Sequence, residues 1–442
     1  MSKRKPCFIA AMVGVSLFYA SLAYGQTAPQ PQRSQTQTSN IQETIDGILR
    51  DFYNKYSLPG GISMAISYRE RLVYAGAVGY ADKDHKIPLT PEHRMRIASL
   101  SKPITSIAIM KLLEEKKISL DDFVFGKNRI FNNQYGMPTY RERHVDITVR
   151  QLLEHNTGGW GRDAQNSSGI RLRNIDRILE NLPLEHLPGT HYDYSNFGYY
   201  VLGRIIETKS GMTYEDYVKE AILKPAGING MRIGATRSGP DEVDYIATAG
   251  EDANSSTNWN PVNIDSAGGW IASPIELMKL LVRIDGFSNV KDILNHETIK
   301  IMTTRSKTNN RYALGWSLSQ SGNNWYHSGG NPGISSIMAR SSNGFNWAIL
   351  INYRPPDAVR SKFASDMDDL FWQIHRTVKH WHTGTDLSMS PTITAPQSDI
   401  GISPPVAAPV PNTPQSINPH TGRPQRTWTN PDLIDLNRGT RQ

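Results

Sequence analysis

The order of apolar and polar positions changes near residue 41, where a helical repeat begins. Apolar side chains recur there every three or four residues, which predicts an amphipathic helix. The members of this repeat are Ile41, Ile45, Ile48, Leu49, Phe52 and Tyr56. Residues 62–67 and 72–78 follow a Pro-Gly-Gly break and predict two strands joined by a polar turn.

A second group of strand-like segments lies late in the chain. Residues 312–318, 325–330, 334–340 and 345–352 have patterns that predict an antiparallel sheet. Residues 358–381 carry their apolar side chains on one helical face. We therefore expect a long helix that packs on this sheet.

Tyr199, Leu202, Ile205 and Ile206 recur at helical spacing and predict a helix after Asn196. Three further segments in the middle of the chain also predict helices. The first begins near Ser99, and the second, within residues 147–159, has Thr148 as its N-cap. The third begins with a capping box formed by Ser273 and Glu276. The middle of the chain is therefore expected to be mostly helical.

The two ends differ from this body. Residues 1–25 combine basic, apolar and small-residue stretches and predict a secretory signal peptide cleaved before Gln26, which implies a secreted or periplasmic protein. An uncleaved anchor is the alternative, although the apolar run is marginal in length for a membrane span. Residues 26–40 and 383–442 are rich in polar residues and proline, so we expect a disordered linker and a disordered tail. We therefore expect one folded domain over residues 41–382. We expect no membrane span once the signal peptide is cleaved.

Composition excludes several classes of function. The chain has 442 residues, of which 38% are hydrophobic, so it can bury a sizeable core. Its formal net charge is +7, but no dense Lys/Arg run with interleaved aromatic residues is present, which argues against nucleic-acid binding. The only cysteine, Cys7, lies in the expected signal peptide. The mature protein would therefore have no disulfide, cysteine nucleophile or thiolate metal site.

The most informative stretch is the Ser-x-x-Lys motif formed by Ser99 and Lys102. The two residues are three apart, so their side chains share one face of the first helical turn. The free N–H groups and the positive dipole end of a helix N-terminus can stabilise a developing oxyanion. A neutral amine one turn on can accept the hydroxyl proton. The motif alone is a weak signal, and an exposed serine and lysine on a helical turn is the structural alternative.

Two more motifs carry side chains suited to catalysis or recognition. The phenol of Tyr194 can transfer protons, and Asn196, two residues on, can orient a substrate carbonyl. A buried tyrosine followed by an N-capping asparagine is the alternative. His327 opens a His-x-Gly motif in a predicted strand, where Gly329 and Gly330 would let a substrate backbone approach closely. A protonated His327 would bind a substrate carboxylate, whereas a neutral one would shape the strand.

Other histidines and glycines of the body receive simpler interpretations. His155 ends a short helix and is expected to be structural. Gly268 and Gly269 are expected to border the pocket without taking part in the chemistry. His144 and His191 show no metal-ligand spacing with the acidic residues, so we assign no metal site.

The Ser-x-x-Lys, Tyr-x-Asn and His-x-Gly motifs that begin at Ser99, Tyr194 and His327 occur in this order, and together they resemble the serine β-lactamase and penicillin-binding-protein superfamily. The resemblance is to the branch that contains class C β-lactamases, D-Ala-D-Ala carboxypeptidases and family VIII esterases. It covers roughly residues 41–381. It implies an α/β (α+β) fold of the β-lactamase/transpeptidase type, in which an antiparallel sheet flanked by helices meets a mostly helical lobe at the active site.

The resemblance also implies a role for each motif residue. Ser99 would be the acylated nucleophile, and Lys102 and Tyr194 the proton-transfer pair. Asn196 would position the substrate amide or carbonyl. The oxyanion hole would consist of the backbone N–H groups of Ser99 and Gly330. This chemistry requires no metal and no organic cofactor.

One departure from the family pattern bears on the substrate. His327-Ser328-Gly329 stands where class C β-lactamases have Lys-Thr-Gly, and histidine at this position is found in some D-Ala peptidases and related esterases. We therefore expect a serine hydrolase that forms an acyl-enzyme with a D-Ala-terminated peptidoglycan peptide or a small ester. A β-lactamase is one alternative. A penicillin-binding or sensing protein without turnover is the other.

Overall fold

The computed structural model describes residues 33–132, 134–135, 143–160, 175–248 and 260–387. The expected signal peptide over residues 1–25 lies outside these ranges, as do residues 26–32 of the expected linker and 388–442 of the expected tail. None of the helices within the described ranges combines the length and apolar character that crossing a membrane requires.

The fold is organised around an eight-stranded antiparallel sheet with the strand order β11-β2-β1-β10-β9-β8-β7, in which β3 extends the pairing of β2. A separate three-stranded sheet has the order β4-β6-β5. The strands are, in chain order, β1 (Gly61–Tyr68), β2 (Arg71–Asp82), β3 (Ile87–Pro88), β4 (Met95–Arg96), β5 (Arg232–Ile233), β6 (Trp270–Ala272), β7 (Ser317–Leu318), β8 (Trp325–Asn331), β9 (Ile334–Arg340), β10 (Phe345–Ile351) and β11 (Thr385–Asp386).

Strands from both ends of the body pair directly at the centre of the sheet. In the β1–β10 pair, Ile62 lies opposite Ile351 and Ala65 lies opposite Ala348. The antiparallel sheet predicted from the late segments therefore also contains the two early strands. The predicted strands are confirmed at residues 62–67, 72–78, 325–330 and 334–340, and the last, predicted over 345–352, ends one residue earlier, at Ile351.

The strand predicted over residues 312–318 is wrong for most of its length. Only Ser317–Leu318 pairs with β8 as a strand. The reason is a tight turn at Gly315, which has a φ of 82° that L side chains rarely adopt. The turn is closed by a hydrogen bond of 2.8 Å from the Ala313 N–H to the carbonyl oxygen of Trp316.

Helices cover both faces of the large sheet. They are, in chain order, α1 (Arg33–Lys55), α2 (Ser101–Glu114), α3 (Val149–Leu153), α4 (Ile175–Asn181), α5 (Asn196–Ser210), α6 (Tyr214–Val218), α7 (Asp265–Gly268), α8 (Pro274–Leu281), α9 (His296–Met302) and α10 (Asp357–Thr377). The caps predicted at Thr148 and Ser273 are confirmed, because each side chain accepts from the N–H three residues on within a capping box.

The terminal helices α1 and α10 pack on one face of the sheet, and the remaining helices form a lobe on the other. On the first face the ring of Phe371 stacks on Trp347 with centroids 3.8 Å apart. On the second, a larger core includes Ala65 of β1 together with buried side chains of α2, α5 and α8. This is the two-part architecture that the sequence predicted.

The expected disordered linker is wrong over residues 33–40, because α1 begins at Arg33 rather than at residue 41. Neither proline nor glycine interrupts these eight polar residues. Once the apolar part of the helix has formed, each added residue extends it with one more backbone hydrogen bond.

The expected disordered tail is wrong over its first residues. β11 pairs with the edge of β2, and Leu387 behind it is 4% exposed. The ring of His382 also lies 2.8 Å, through Nε2, from the carbonyl oxygen of Val73. The folded body therefore extends to Leu387, although the last helix ends at Thr377, short of the predicted residue 381.

Candidate active site

Ser99 lies in a 3-10 turn, Ala98–Leu100, that leads directly into α2. Ala98 is in the left-handed region with a φ of 48°, which is strained for a residue with a side chain. Ala98 and Leu100 are fully buried, whereas Ser99 between them is partly exposed. The turn therefore presents the Ser99 hydroxyl at the junction of the sheet and the helical lobe.

The glycine of the His-x-Gly motif lets this turn lie against β8. A Cβ added at Gly329 would lie 2.6 Å from the carbonyl oxygen of Ile97 and 3.0 Å from the backbone nitrogen of Ser99. Backbone atoms cannot yield to such a clash. Ser336 of β9 fixes the same turn, because its hydroxyl donates to the Ile97 carbonyl at 2.9 Å. Gly329 is therefore a requirement for the position of the serine.

Lys102 is fully buried behind Ser99 and is held by three acceptors. Its Nζ lies 3.1 Å from Ser99 Oγ, 2.7 Å from Asn196 Oδ1 and 2.7 Å from the carbonyl oxygen of Ala267. Three acceptors match the three donors of an ammonium group. The exposed serine–lysine pair that the motif alone allowed is thus wrong for this chain.

Tyr194 approaches Ser99 from the other side. Its hydroxyl donates to Ser99 Oγ at 2.9 Å, and Lys102 Nζ lies 4.7 Å from the centre of its ring. The N-cap of α5 is Ser195, whose hydroxyl accepts from the Gly198 N–H at 3.0 Å. Asn196 is therefore not the N-cap, and its side chain contacts Lys102 instead.

His327 is 2% exposed and faces into the protein. Its Nδ1 lies 2.7 Å from the carbonyl oxygen of Ser328, and its Nε2 lies 3.1 Å from the hydroxyl of Tyr312. Burial, and then the charge of Lys102, lower the pKa of His327 to about 3. The ring is neutral near neutral pH, which favours the alternative in which His327 shapes the strand over a cationic carboxylate ligand.

Gly329 and Gly330 continue β8 beside the nucleophile turn and lie opposite Ser336 and Ser335 of β9. A Cβ at Gly330 would have its nearest neighbour at 3.8 Å, on Arg354, which is ordinary contact. The structure therefore brings Ser99, Lys102, Tyr194, Asn196 and the two glycines together. The buried His327 side chain lies on the same face of β8 as Gly329, with its ring centre 6.4 Å from that of Tyr194. The oxyanion hole at the N–H groups of Ser99 and Gly330 stays a prediction.

Sequence reasoning missed three groups of the site. The Ala267 carbonyl was not a candidate, although Gly268 beside it was expected to border the pocket, and a Cβ at Gly268 would lie 3.7 Å from Ala98. Gly269 lies instead against Asp265 and Pro261. Tyr312 falls in a segment that predicts a strand. His155, expected to be structural, contacts both Tyr312 and the Tyr194 segment.

No three side chains of His, Cys, Asp or Glu are grouped to hold a metal ion in the part of the chain that the structure describes. His144 is buried and stacks near Trp160, and His191 stacks on His186 with ring centroids 3.8 Å apart.

Comparison with known proteins places this arrangement in a family. The Beta-lactamase family model matches residues 45–368. Protein flp of Staphylococcus aureus strain COL is 26% identical over 325 residues, which cover 71% of this chain and 64% of that protein. Penicillin-binding protein 4* of Bacillus subtilis strain 168 is 30% identical over 293 residues, 61% of this chain and 62% of that protein. The chain thus spans less than two thirds of the length of these relatives.

Solved structures show the same fold. The D-amino acid amidase from Ochrobactrum anthropi SV3, complexed with L-phenylalanine amide, has a TM-score of 0.63 and 22% identity, covering 77% of this chain and 99% of that one. The octameric penicillin-binding protein homologue from Pyrococcus abyssi has a TM-score of 0.59 and 24% identity, covering 75% and 77%. Since the family model spans most of the chain and includes every motif residue described above, the chain belongs to the Beta-lactamase family.

Proposed function

We propose that the protein hydrolyses amides or esters through an acyl-enzyme formed on Ser99. The observation that carries this proposal is the position of the Ser99 hydroxyl, 2.9 Å from the Tyr194 hydroxyl and 3.1 Å from Lys102 Nζ. A nucleophile within hydrogen-bond reach of its base, with the base held by a third group, is the arrangement that activates a serine.

The proton transfers follow from these contacts. When the Lys102–Tyr194 pair carries one proton fewer than its fully protonated form, it accepts the Ser99 proton as Oγ bonds to the substrate carbonyl carbon. The same proton then passes to the leaving amine or alcohol as the carbonyl re-forms and the acyl-enzyme is left. In the second half, water gives its proton to the pair, attacks the acyl carbon, and Ser99 regains a proton as it leaves.

The remaining groups orient the substrate. The Asn196 side chain accepts from Lys102 through Oδ1, so its amide nitrogen is the end that donates to a substrate carbonyl. The backbone N–H groups of Ser99 and Gly330 serve as the oxyanion hole, and the edge of β8 aligns an extended acyl group. Each of these roles uses backbone or amide donors and requires no cofactor.

The substrate class is an amide or ester of a D-amino acid, with a D-Ala-terminated peptide as the first candidate. Two kinds of relative support this choice: one is named a penicillin-binding protein and another is a D-amino acid amidase. The neutral, buried His327 stands where class C β-lactamases have a lysine, which weighs against efficient β-lactam hydrolysis.

A substrate panel tests the proposal. Purified protein and its Ser99→Ala variant are assayed with a D-Ala-D-Ala peptide, a D-amino acid amide, a chromogenic ester and a chromogenic cephalosporin. We expect turnover of the peptide, the amide or the ester by the parent, with none by the variant. Turnover of the cephalosporin alone would make the protein a β-lactamase, and stable labelling without turnover of any substrate would make it a sensor.

We also propose that the protein is exported, on the basic, apolar and small-residue stretches of residues 1–25. N-terminal sequencing of the protein from its native cells tests this. A mature N-terminus at Gln26 is expected, and a retained N-terminal segment in a cytosolic fraction would overturn it.

A further inference from the structure

His155 holds the backbone on both sides of Tyr194. The Asp193 N–H donates to the carbonyl oxygen of His155 at 2.7 Å, and the Ser195 N–H donates to its Nδ1 at 3.0 Å. The imidazole also lies against the Tyr194 ring, with centroids 4.3 Å apart. One residue thus holds the backbone N–H groups of the residues immediately before and after the proposed proton-transfer tyrosine.

The same imidazole begins a chain of hydrogen bonds that crosses to the sheet. His155 Nε2 lies 3.1 Å from the Tyr312 hydroxyl, which lies 3.1 Å from His327 Nε2. His327 Nδ1 lies 2.7 Å from the carbonyl oxygen of Ser328. Ser328 precedes Gly329, the residue on which the Ser99 turn rests. The chain therefore connects the Tyr194 segment to the strand that supports the nucleophile.

The direction of this chain is fixed by its two ends. Because the Ser195 N–H donates to His155 Nδ1, the proton of the neutral ring must be on Nε2, which donates to Tyr312. Because the Ser328 carbonyl can only accept, His327 carries its proton on Nδ1, and its Nε2 accepts from the Tyr312 hydroxyl. Every donor then meets an acceptor in one arrangement, with the two histidines in opposite tautomers.

The surroundings keep this arrangement in place. His155, Tyr312 and His327 are 0%, 1% and 2% exposed. Burial lowers the pKa of His155 well below its ordinary value and raises that of Tyr312 well above it, so both are neutral near neutral pH. Loss of the Tyr312 hydroxyl from this buried chain would leave His155 Nε2 and His327 Nε2 without that partner. The Tyr199 hydroxyl, which also neighbours Tyr312, keeps the Leu153 carbonyl oxygen as its acceptor at 2.9 Å.

We propose that His155 and Tyr312 are positioning residues, which act through this directed hydrogen-bond chain to hold Tyr194 against Ser99. The inference rests on the proposed function, because it assigns Tyr194 to proton transfer. It predicts that breaking the chain slows acylation of Ser99 without weakening substrate binding, since neither residue contacts Ser99 itself.

Tyr312→Phe is the decisive variant, and Tyr214→Phe is its matched control. Tyr214 is also 1% exposed, and its hydroxyl also has two partners, Thr105 Oγ1 at 2.7 Å and Trp270 Nε1 at 2.9 Å. The control loses the same atom from an equally buried place, but it leaves the chain intact. The two variants therefore separate loss of stability from loss of positioning.

Three measurements are made on the full chain: the rate of Ser99 labelling by a fluorophosphonate, kcat and KM for a chromogenic ester, and thermal unfolding. We expect Tyr312→Phe to label and turn over at least tenfold more slowly, with KM within twofold of the parent. We expect the unfolding temperatures of both variants to fall. The labelling rate and kcat of Tyr214→Phe should nevertheless stay within twofold of the parent. Equal rate losses in both variants, or less than a twofold loss in Tyr312→Phe, would overturn the inference.

The tautomers of His155 and His327 can be measured directly, and a purely structural role of these residues would not require opposite tautomers. The ring nitrogen shifts of ¹⁵N-histidine-labelled protein should show His155 protonated on Nε2 and His327 on Nδ1, and the His327 signals should move in Tyr312→Phe. The same tautomer in both rings contradicts the directed chain. If the parent is not labelled at Ser99, the proposed function itself fails; if it is labelled and Tyr312→Phe is labelled equally fast, only the positioning role fails.

Discussion

The hydroxyl of Tyr194 lies 2.9 Å from that of Ser99, although the two residues are 95 positions apart in the chain. Each is presented where a helix begins: Ser99 in the turn before α2, and Tyr194 in the segment before α5. Lys102 reaches both, through a contact to Ser99 and through its position over the Tyr194 ring. The N-terminal ends of α2 and α5 therefore lie on either side of the buried Lys102 amine. This arrangement places a base beside the Ser99 hydroxyl.

The first prediction concerns the Tyr194 hydroxyl. Tyr194→Phe keeps the ring but removes the group that exchanges a proton with Ser99, so kcat for an ester should fall by about 10²- to 10⁴-fold. KM should change little, because this hydroxyl contacts Ser99 rather than the substrate. Tyr74→Phe is the control, since its buried hydroxyl donates to Asp46 on the other side of the sheet. A Tyr194→Phe enzyme that keeps more than a tenth of the parent kcat would remove Tyr194 from the mechanism.

The second prediction concerns the close approach at Gly329. Gly329→Ala places a methyl group 2.6 Å from the Ile97 carbonyl and 3.0 Å from the Ser99 nitrogen, so it should push the nucleophile turn away from β8. We expect a loss of stability of about 1–3 kcal/mol and labelling of Ser99 at least tenfold slower. Gly330→Ala, with its nearest neighbour at 3.8 Å, should unfold at the parent temperature. Similar unfolding temperatures for the two variants would show that the packing described at Gly329 is incorrect.

The third prediction follows from the neutral state of His327. Burial and the Lys102 charge lower its pKa to about 3. The ring should therefore not titrate between about pH 5 and about pH 8, the range in which an ordinary histidine would. KM for a peptide with a free terminal carboxylate should run parallel to KM for a neutral ester over that range. A peptide KM that rises through about pH 6.5 while the ester KM stays flat would restore His327 as a carboxylate ligand.

The fourth prediction concerns stability and pH. Burial, then the charge of Asp285 and more weakly that of Glu70, raise the pKa of Asp292 to about 7 in the folded protein. An aspartate in the unfolded chain titrates near 3.9, so the folded state binds this proton more tightly. The corresponding stability is present below about pH 4 and is lost as the pH rises through about 7.

Thermal unfolding at a series of pH values checks this sign. Between about pH 5 and about pH 8, Asp292→Asn should lose less free energy of unfolding than the parent, by an amount on the order of 1 kcal/mol after solvent screening. Its unfolding temperature should therefore fall less over that range. Asp121→Asn, at a carboxylate whose side chain is 79% exposed, should leave the profile unchanged. A steeper fall in Asp292→Asn than in the parent would reverse the assignment.

The fifth prediction concerns the end of the folded body. A chain that stops at His382 lacks β11 and the buried Leu387, whereas a chain that stops at Leu387 keeps both. The shorter chain should be less stable by about 2 kcal/mol, the value of burying one leucine side chain. Both should still react at Ser99, because β11 lies at the far edge of the sheet from β8. Identical unfolding temperatures would show that residues 383–387 contribute nothing to the fold.

The sequence predicted the elements whose causes are local. The Pro-Gly-Gly break and a polar turn predicted β1 and β2, and N-capping residues predicted the starts of α3 and α8, because a break, a turn or a cap needs only neighbouring residues. The extension of α1 to Arg33 and the pairing of β11 escaped prediction. The first depends on helix propagation into polar residues, and the second on a long-range contact with the edge of β2.

The residues of the site also fall into those that the sequence could predict and those that it could not. Ser99, Lys102, Tyr194 and Asn196 could be identified because their spacing within short motifs matches a known family. The Ala267 carbonyl and the Tyr312 hydroxyl could not, because a backbone oxygen has no residue signature and Tyr312 lies in a segment that alternates like a strand. The charge of His327 could not be predicted either, because the sequence does not show whether a histidine is buried. Its burial in the folded protein lowers the pKa and makes the ring neutral.

The most direct test of the central claim is the mass of the protein after reaction with a fluorophosphonate, followed by peptide mapping. The parent should gain one adduct, on the peptide that contains Ser99, and Ser99→Ala should gain none while unfolding at nearly the parent temperature. An adduct on any other serine, or undiminished labelling of Ser99→Ala, would contradict the assignment of Ser99 as the nucleophile.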